Sequence, residues 1–543
     1  MVLALVLAAA AASSIPPRPV VPADTYLFRA LSSLEVSPDG TTLVYGIERA
    51  DDKADAFRYE LWTMAADGTK PRRVCDEDDD CTRPRFSPDG TKLAWLQSDD
   101  EATQIMVARV GAKKGKAVTS GADDVEDYDW SPDGASLVFT RVDPFVFHPA
   151  PGAPQPSGSA TPDPETLPFV ITRTQIQRDG EGFVDNRHSH LYVVPSRGGT
   201  ARKITSGSSD DASPRWSPRG DVIAFVSNHN TDPDATDDTD IYVVSPKGGA
   251  ARKLAGNPGP DQSPSWSRRG DRLAFVGSMR PNDYYQITRA MVVPASGGAP
   301  VDAWLYPPLD LDPAKKYPMI LYVHGGPQEY DGEYFDTGLE NQVFPGKGWA
   351  VLRVNYRGST SYGEAFSRAL WADWHDREYG DLLAAVDAAV TANPWIDDAR
   401  LGIGGWSYGG IMTVWTVGHT KRFKVGVPER FEVDYLSCFG TDQWFAQYLS
   451  ELGSPLENAD LYKAKSPGTY VSDIATPLYL IANAEDGNCP PTQAMQLYQR
   501  LKLRGIPTEL VVYPGEPHTM NVPSHYVDRL YRLVNWFGKE LGK

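Results

Sequence analysis

The chain changes rhythm near its middle. Before about residue 300, apolar residues come in runs of four or five, each cut off by a turn signal. Leu137-Val138-Phe139-Thr140, His190-Leu191-Tyr192-Val193-Val194, Ile223-Ala224-Phe225-Val226 and Ile241-Tyr242-Val243-Val244 are examples. Short runs rich in β-branched and aromatic residues predict strands. The turns repeat: Val36-Ser37-Pro38-Asp39-Gly40 returns as Phe86 to Gly90, Trp130 to Gly134, Trp216 to Gly220 and Trp266 to Gly270, at intervals of 50, 44, 86 and 50 residues. Ser-Pro-Asp-Gly suits a tight turn, because proline pre-sets one φ and glycine tolerates a positive one. A repeat of roughly 45 residues carrying several short strands is the pattern of a propeller blade. Residues 25–300 are therefore expected to form a β-propeller of five or six blades. The long interval holds seven prolines between Pro149 and Pro168. They cannot occupy central strands, so Pro144 to Asn186 reads as an insertion in one blade, with a degenerate sixth blade as the alternative.

From Val301 to Lys543, longer apolar strands alternate with amphipathic stretches. Met319 to Val323, Ala350 to Val354, Leu401 to Gly404, Pro477 to Ile481 and Glu509 to Tyr513 read as buried strands, and Asp381 to Ala392 and Thr492 to Arg504 as helices. That alternation predicts a mostly parallel sheet covered on both faces, with ligands at the carboxyl ends of its strands.

Composition narrows the function. The 543 residues hold 53 lysines and arginines against 71 aspartates and glutamates, a net charge of −18. Nucleic-acid binding needs a basic footprint, so that class is set aside. No apolar run reaches the roughly 18 residues of a membrane span. Met1 to Ala12 is apolar and alanine-rich, and Ser13, Ser14 and four prolines follow. Residues 1–24 therefore resemble an export leader without its basic start; export is the expectation and a cytoplasmic location the alternative. The four cysteines, Cys75, Cys81, Cys438 and Cys489, form no disulfide framework and no zinc-type pair. Cys75 and Cys81 bracket an acidic loop and could bridge in an oxidising compartment; four free thiols is the other reading. His188 and His190 are a weak metal signal and are read as exposed strand-end residues. The acidic run Asp232 to Asp240 is read as a solvated loop, with calcium binding left open.

One constellation carries chemistry. Gly405-Trp406-Ser407-Tyr408-Gly409 lies between a strand and a helical run, the context of a nucleophile elbow. A turn that tight needs small residues two places either side of the serine. A serine hydroxyl needs a base, and the expected chain order is Ser, then an acid, then His. Asp486 follows one predicted strand and His518 the next. Glu485 and His525 are the weaker competitors. Oxyanion donors are expected from the N–H of Tyr408 and from Gly325-Gly326, with Gly326 favoured. His324 is read as structural.

Together these stretches resemble the prolyl oligopeptidase family of serine peptidases, in its acylaminoacyl-peptidase and dipeptidyl-peptidase-like branch. The likeness rests on His324-Gly325-Gly326-Pro327, on Val354 to Thr360, on Gly405 to Gly410, on Val512 to Glu516 before His518, and on the propeller turns. It implies a propeller capping an α/β-hydrolase domain, 301–543, with the site between them and the propeller filtering substrates by size. Three features depart from the family pattern. The propeller is short. Ala482-Asn483 stands where the family usually has His-Gly. Pro428 to Glu432 brings charges where a small apolar run is usual, which is expected to alter a subsite or the packing beneath it.

The expected reaction is hydrolysis of short peptides through an acyl-enzyme, with Ser407 as nucleophile, His518 as base and Asp486 as its orienting partner. No cofactor or metal is implied, and the oligomeric state is left open. The alternatives are an esterase-type serine hydrolase and an inactive scaffold that binds peptide or protein.

Overall fold

The computed structural model describes residues 18–76, 79–98, 102–112, 114–144, 171–184, 186–278, 280–282, 301–332 and 336–542. The leader-like start, residues 1–17, and most of the proline-rich stretch lie outside them. The N-terminal half is built of small antiparallel sheets in chain order. Four have four strands each, and the fifth, Asp261–Trp266 with Leu273–Gly277, has two among the described residues. All five repeated turns close alike: the glycine amide donates to the serine carbonyl three residues back, at 2.8–2.9 Å, and the glycine φ lies between 65° and 74°. Two of the tryptophans that open a repeat also tie it to its neighbour. Trp130 Nε1 donates to the Arg85 carbonyl at 3.1 Å, and Trp266 Nε1 to that of Arg215 at 3.1 Å.

The long interval is an insertion in the third sheet, between the paired strands Ser136–Val142 and Ser189–Pro195. Its described part ends in a two-stranded hairpin, Gln177–Arg178 with Gly182–Phe183. Two expectations are corrected around it. His190 is buried, with 1% of its surface exposed, and His188 is half-buried; their rings face Asp210 at 3.0 Å and Asp211 at 3.2 Å. The acidic run is a set of anchors rather than a solvated loop. Asp234 pairs with Arg173 of the insertion at 2.6 Å, and Asp240 is buried against Lys253 at 2.6 Å.

The C-terminal half is a seven-stranded sheet ordered Asp302–Tyr306, Ala350–Asn355, Tyr317–Val323, Ile396–Trp406, Val425–Glu429, Leu478–Asn483, Thr508–Tyr513. The first strand is antiparallel to its neighbour and the rest are parallel. Parallel strands buried on both faces need apolar cover on both. One face packs helices Asp376–Ala392, Tyr408–His419 and Pro491–Leu503. The other packs helix Pro523–Leu541, with Val20 and Phe28 against the same cluster. Residues 18–28 therefore lie on the hydrolase core. Among the described residues no helix is long and apolar enough to cross a membrane. Cys75 and Cys81 form a disulfide, whereas Cys438 and Cys489 are buried free thiols.

Candidate active site

Ser407 is the single residue between strand Ile396–Trp406 and helix Tyr408–His419, with φ 58° and ψ −128°. A residue with a Cβ pays for that conformation and needs surrounding packing to hold it. The packing is visible: a Cβ on Gly409 would sit 2.1 Å from the Val323 carbonyl oxygen, and one on Gly405 2.4 Å from the same atom. Glycine at both places lets the helix close onto the strand. The Ser407 amide donates to the Glu429 carbonyl at 2.9 Å, and its own carbonyl accepts from Ile411 at 3.0 Å. The side chain stands at the positive end of the helix.

Asp486 and His518 follow the next two strand ends and meet. His518 Nδ1 lies 2.9 and 2.8 Å from the two carboxylate oxygens of Asp486. Asp486 Oδ1 also accepts the amides of Asn488 at 2.9 Å and Cys489 at 2.7 Å. Ser407 and His518 line one cavity of about 320 Å³, together with Gly326, Tyr408 and Glu329. No hydrogen bond joins Ser407 to His518 among the described residues. The competitors lie elsewhere: Glu485 is exposed, and His525 faces Glu516 at 2.7 Å.

The expected oxyanion residues border Ser407. A Cβ on Gly325 would touch the Ser407 Cβ at 3.3 Å, and Gly326 has φ 101°. Tyr408 is buried, and its hydroxyl donates to Glu378 at 2.5 Å. His324 is enclosed: its Nε2 meets Ser359 Oγ at 2.9 Å, its ring stacks on Tyr356 at 4.4 Å, and burial lowers its pKa. That fits the structural role read from the sequence.

The departures from the family pattern resolve into contacts. Asn483 Nδ2 donates to the Pro517 carbonyl at 2.6 Å, and Arg430 Nη1 to the His518 carbonyl at 3.0 Å. Arg430 also lies over the Trp406 ring at 4.7 Å, and that ring is 5.4 Å from the imidazole. Glu429 is fully buried. Burial alone would raise its pKa, but Arg529 Nε at 2.5 Å outweighs it and keeps the carboxylate below its usual range. The same guanidinium reaches Glu340 at 2.6 Å and Tyr322 at 2.7 Å.

Glu432 faces the same cavity as Ser407. It lines the cavity beside Trp374, Tyr435, Trp444 and Tyr448. Burial, then Asp442, push its pKa well up, and burial pushes Asp442 up to about 7. Tyr448 OH lies between both carboxyls, 3.0 Å from Glu432 and 2.7 Å from Asp442. Cys438 brings a third metal-type ligand atom near this pair, but burial raises its thiol pKa.

Sequence reasoning missed one contact in the site. Asp179, in the propeller insertion, accepts the amides of Gly487 at 3.0 Å and His518 at 2.9 Å on one oxygen. The available signal was Asp179-Gly180, a hairpin-turn dipeptide.

Residues 335–543 match the prolyl oligopeptidase family. Over the whole chain, similarity extends to the peptidase YuxL of Bacillus subtilis, 25% identical over 93% of this chain and 97% of that one. Dipeptidyl-peptidase 5 of Porphyromonas gingivalis is 22% identical over 94% of each. Among solved structures, the acylaminoacyl peptidase of Pyrococcus horikoshii superposes with a TM-score of 0.78 at 19% identity, covering 97% of this chain and 98% of that one. This shared architecture is a propeller joined to an α/β-hydrolase sheet. The chain carries a domain of the prolyl oligopeptidase family and is a serine-type peptidase, similar to dipeptidyl- and acylaminoacyl-peptidases.

Proposed function

We propose that this peptidase cleaves short peptides with a Ser407-His518-Asp486 triad. Ser407 attacks the scissile carbonyl while Nε2 of His518 takes its proton. Asp486 holds Nδ1 protonated and stabilises the imidazolium. The Tyr408 and Gly326 amides receive the oxyanion, each worth roughly 2.7–4 kcal/mol of barrier. His518 then protonates the leaving amine, and water releases the acyl group. The observation that carries this reading is the Asp486-His518 pair opening on the cavity that holds Ser407. Proton transfer requires the Ser407 hydroxyl within hydrogen-bond reach of His518 Nε2.

Propeller residues touch the segment that carries the cavity-lining Trp444, Gln447 and Tyr448. Gln177 Nε2 donates to the Thr441 carbonyl at 2.6 Å, and Ser450 Oγ to that of Asn282 at 3.0 Å. These contacts support the access role assigned to the propeller, which favours short peptides over folded proteins. Glu329 and Glu432 line the cavity with no lysine or arginine beside them among the described residues, and burial disfavours charge on Glu432, so neutral residues beside the scissile bond fit better than acidic ones. The Cys75–Cys81 disulfide supports export, because such bonds are rare in the cytosol.

The test is Ser407→Ala with a peptide anilide, an ester of the same acyl group and a fluorophosphonate label. Loss of both hydrolysis and labelling is expected, with the native chain cleaving the anilide. Unchanged anilide hydrolysis in Ser407→Ala would end this assignment; cleavage of the ester alone would make the protein an esterase.

A further inference from the structure

The insertion hairpin bridges the two halves of the chain. Its root is fixed to the propeller: Arg173 pairs with Asp234 at 2.6 Å and Asp210 at 3.2 Å, and Thr174 Oγ1 donates to Asp232 at 2.6 Å. Its tip is fixed to the hydrolase domain: the Asp179 amide donates to Gln443 Oε1 at 3.0 Å, and the Gln443 amide to the Gly487 carbonyl at 3.1 Å. Between these anchors, Asp179 Oδ1 accepts two amides at once. One belongs to Gly487, the residue after Asp486, and the other to His518 itself.

The peptide groups around His518 are thus held from several sides. Arg430 takes its carbonyl, Asn483 takes that of Pro517, and Asp179 takes its N–H. Of these three, only Asp179 comes from the propeller. The approach is close enough to dictate sequence. A Cβ on Gly487 would lie 3.1 Å from both the amide nitrogen and the Cα of Asp179, tighter than a side chain at 487 tolerates without pushing the hairpin away.

We propose that Asp179 is a positioning residue, through which the propeller holds the acid loop and the histidine loop in register. It touches neither substrate nor the reacting atoms. The proposal rests on the triad reading above. Its chemical content is that one carboxylate oxygen, accepting from both loops, fixes the distance between Asp486 and His518. Displacement of a triad group by about 1 Å costs on the order of 100-fold in rate.

The experiment measures kcat and KM on a peptide anilide for Asp179→Ala, Asp179→Asn and Gly487→Ala, with Ser407→Ala as control. Rates are normalised to active serines titrated with a fluorophosphonate. Asp179→Ala is expected to lower kcat about 10- to 100-fold with KM nearly unchanged. Asp179→Asn keeps an acceptor oxygen and is expected to recover most of the rate. Gly487→Ala reads the same contact from the hydrolase side and should lower kcat likewise, which covers the case in which Asp179→Ala fails to fold. Wild-type kcat in both Asp179→Ala and Gly487→Ala, with Ser407→Ala inactive, overturns the proposal and leaves the triad standing. Activity in Ser407→Ala removes both.

Discussion

Asp486→Asn is the sharpest probe of the triad, because the structure dictates how the new amide must sit. Asp486 Oδ1 accepts the backbone N–H groups of Asn488 and Cys489. An asparagine keeps its carbonyl oxygen there, since presenting NH2 to two donors would leave both unpaired, at about 1–3 kcal/mol each. Its NH2 then faces His518 Nδ1, which today lies 2.8–2.9 Å from the carboxylate oxygens. Two donors cannot share that contact. The nearer contact then favours a ring that accepts at Nδ1 and carries its proton on Nε2, pointing it at Ser407. An imidazole in that tautomer cannot take the hydroxyl proton. The analogous change in a known triad lowers kcat about 10⁴-fold, which is about 5 kcal/mol of barrier at 1.36 kcal/mol per decade. The assay is steady-state hydrolysis of a peptide anilide at neutral pH, with thermal unfolding alongside. The unfolding midpoint should barely move, because the loop hydrogen bonds are retained. A variant with kcat within tenfold of the native chain would refute the reasoning and take the orienting role from Asp486.

Two further expectations concern the packing beneath the site. Arg529→Met removes the nearest cation from Glu429 and Glu340 and leaves Arg430 at 3.9 Å and Arg353 at 3.6 Å, so the cost should lie below the roughly 3–5 kcal/mol of a buried carboxylate left wholly unpaired. Denaturant midpoints should fall accordingly, and adding Glu429→Gln should recover much of the loss; no recovery would mean that the guanidinium matters through volume rather than charge. Glu378 is fully buried, and burial raises its pKa from 4.5 to about 7. The native carboxyl therefore keeps its proton where the unfolded chain has lost it, so this group's contribution to stability declines as pH rises through that window. At 1.36 kcal/mol per unit, that shift is worth up to about 3 kcal/mol. Glu378→Gln should gain stability relative to the native chain by up to that amount between about pH 5 and 8 in urea unfolding; a pH-independent difference would contradict the assignment.

What the sequence could reveal follows from how local each constraint is. The elbow was legible because Gly405 and Gly409 flank Ser407 in sequence and crowd each other across it, a Cβ on Gly405 meeting the Gly409 carbonyl at 2.9–3.0 Å. Asp486 and His518 were legible because each follows a strand, and strand ends in a parallel sheet converge. The Glu429-Arg529 pair was not, since its members lie 100 residues apart and only tertiary packing turns a charge in a buried strand into a satisfied one. His190 misled for the same reason: Asp211, 21 residues away, makes its burial tolerable. Asp179 was hidden most deeply. It lies 308 residues from Gly487 and 339 from His518, in a segment whose prolines argued only against strands.

The close fit at Gly487 means that the two halves of the chain have been shaped to each other at atomic scale. A hydrolase module grafted beneath a foreign propeller would arrive with a dent where the hairpin used to rest and with two amides facing water. Recombination between relatives should therefore succeed when the insertion travels with the module it serves, and produce sluggish chimaeras when the crossover separates them.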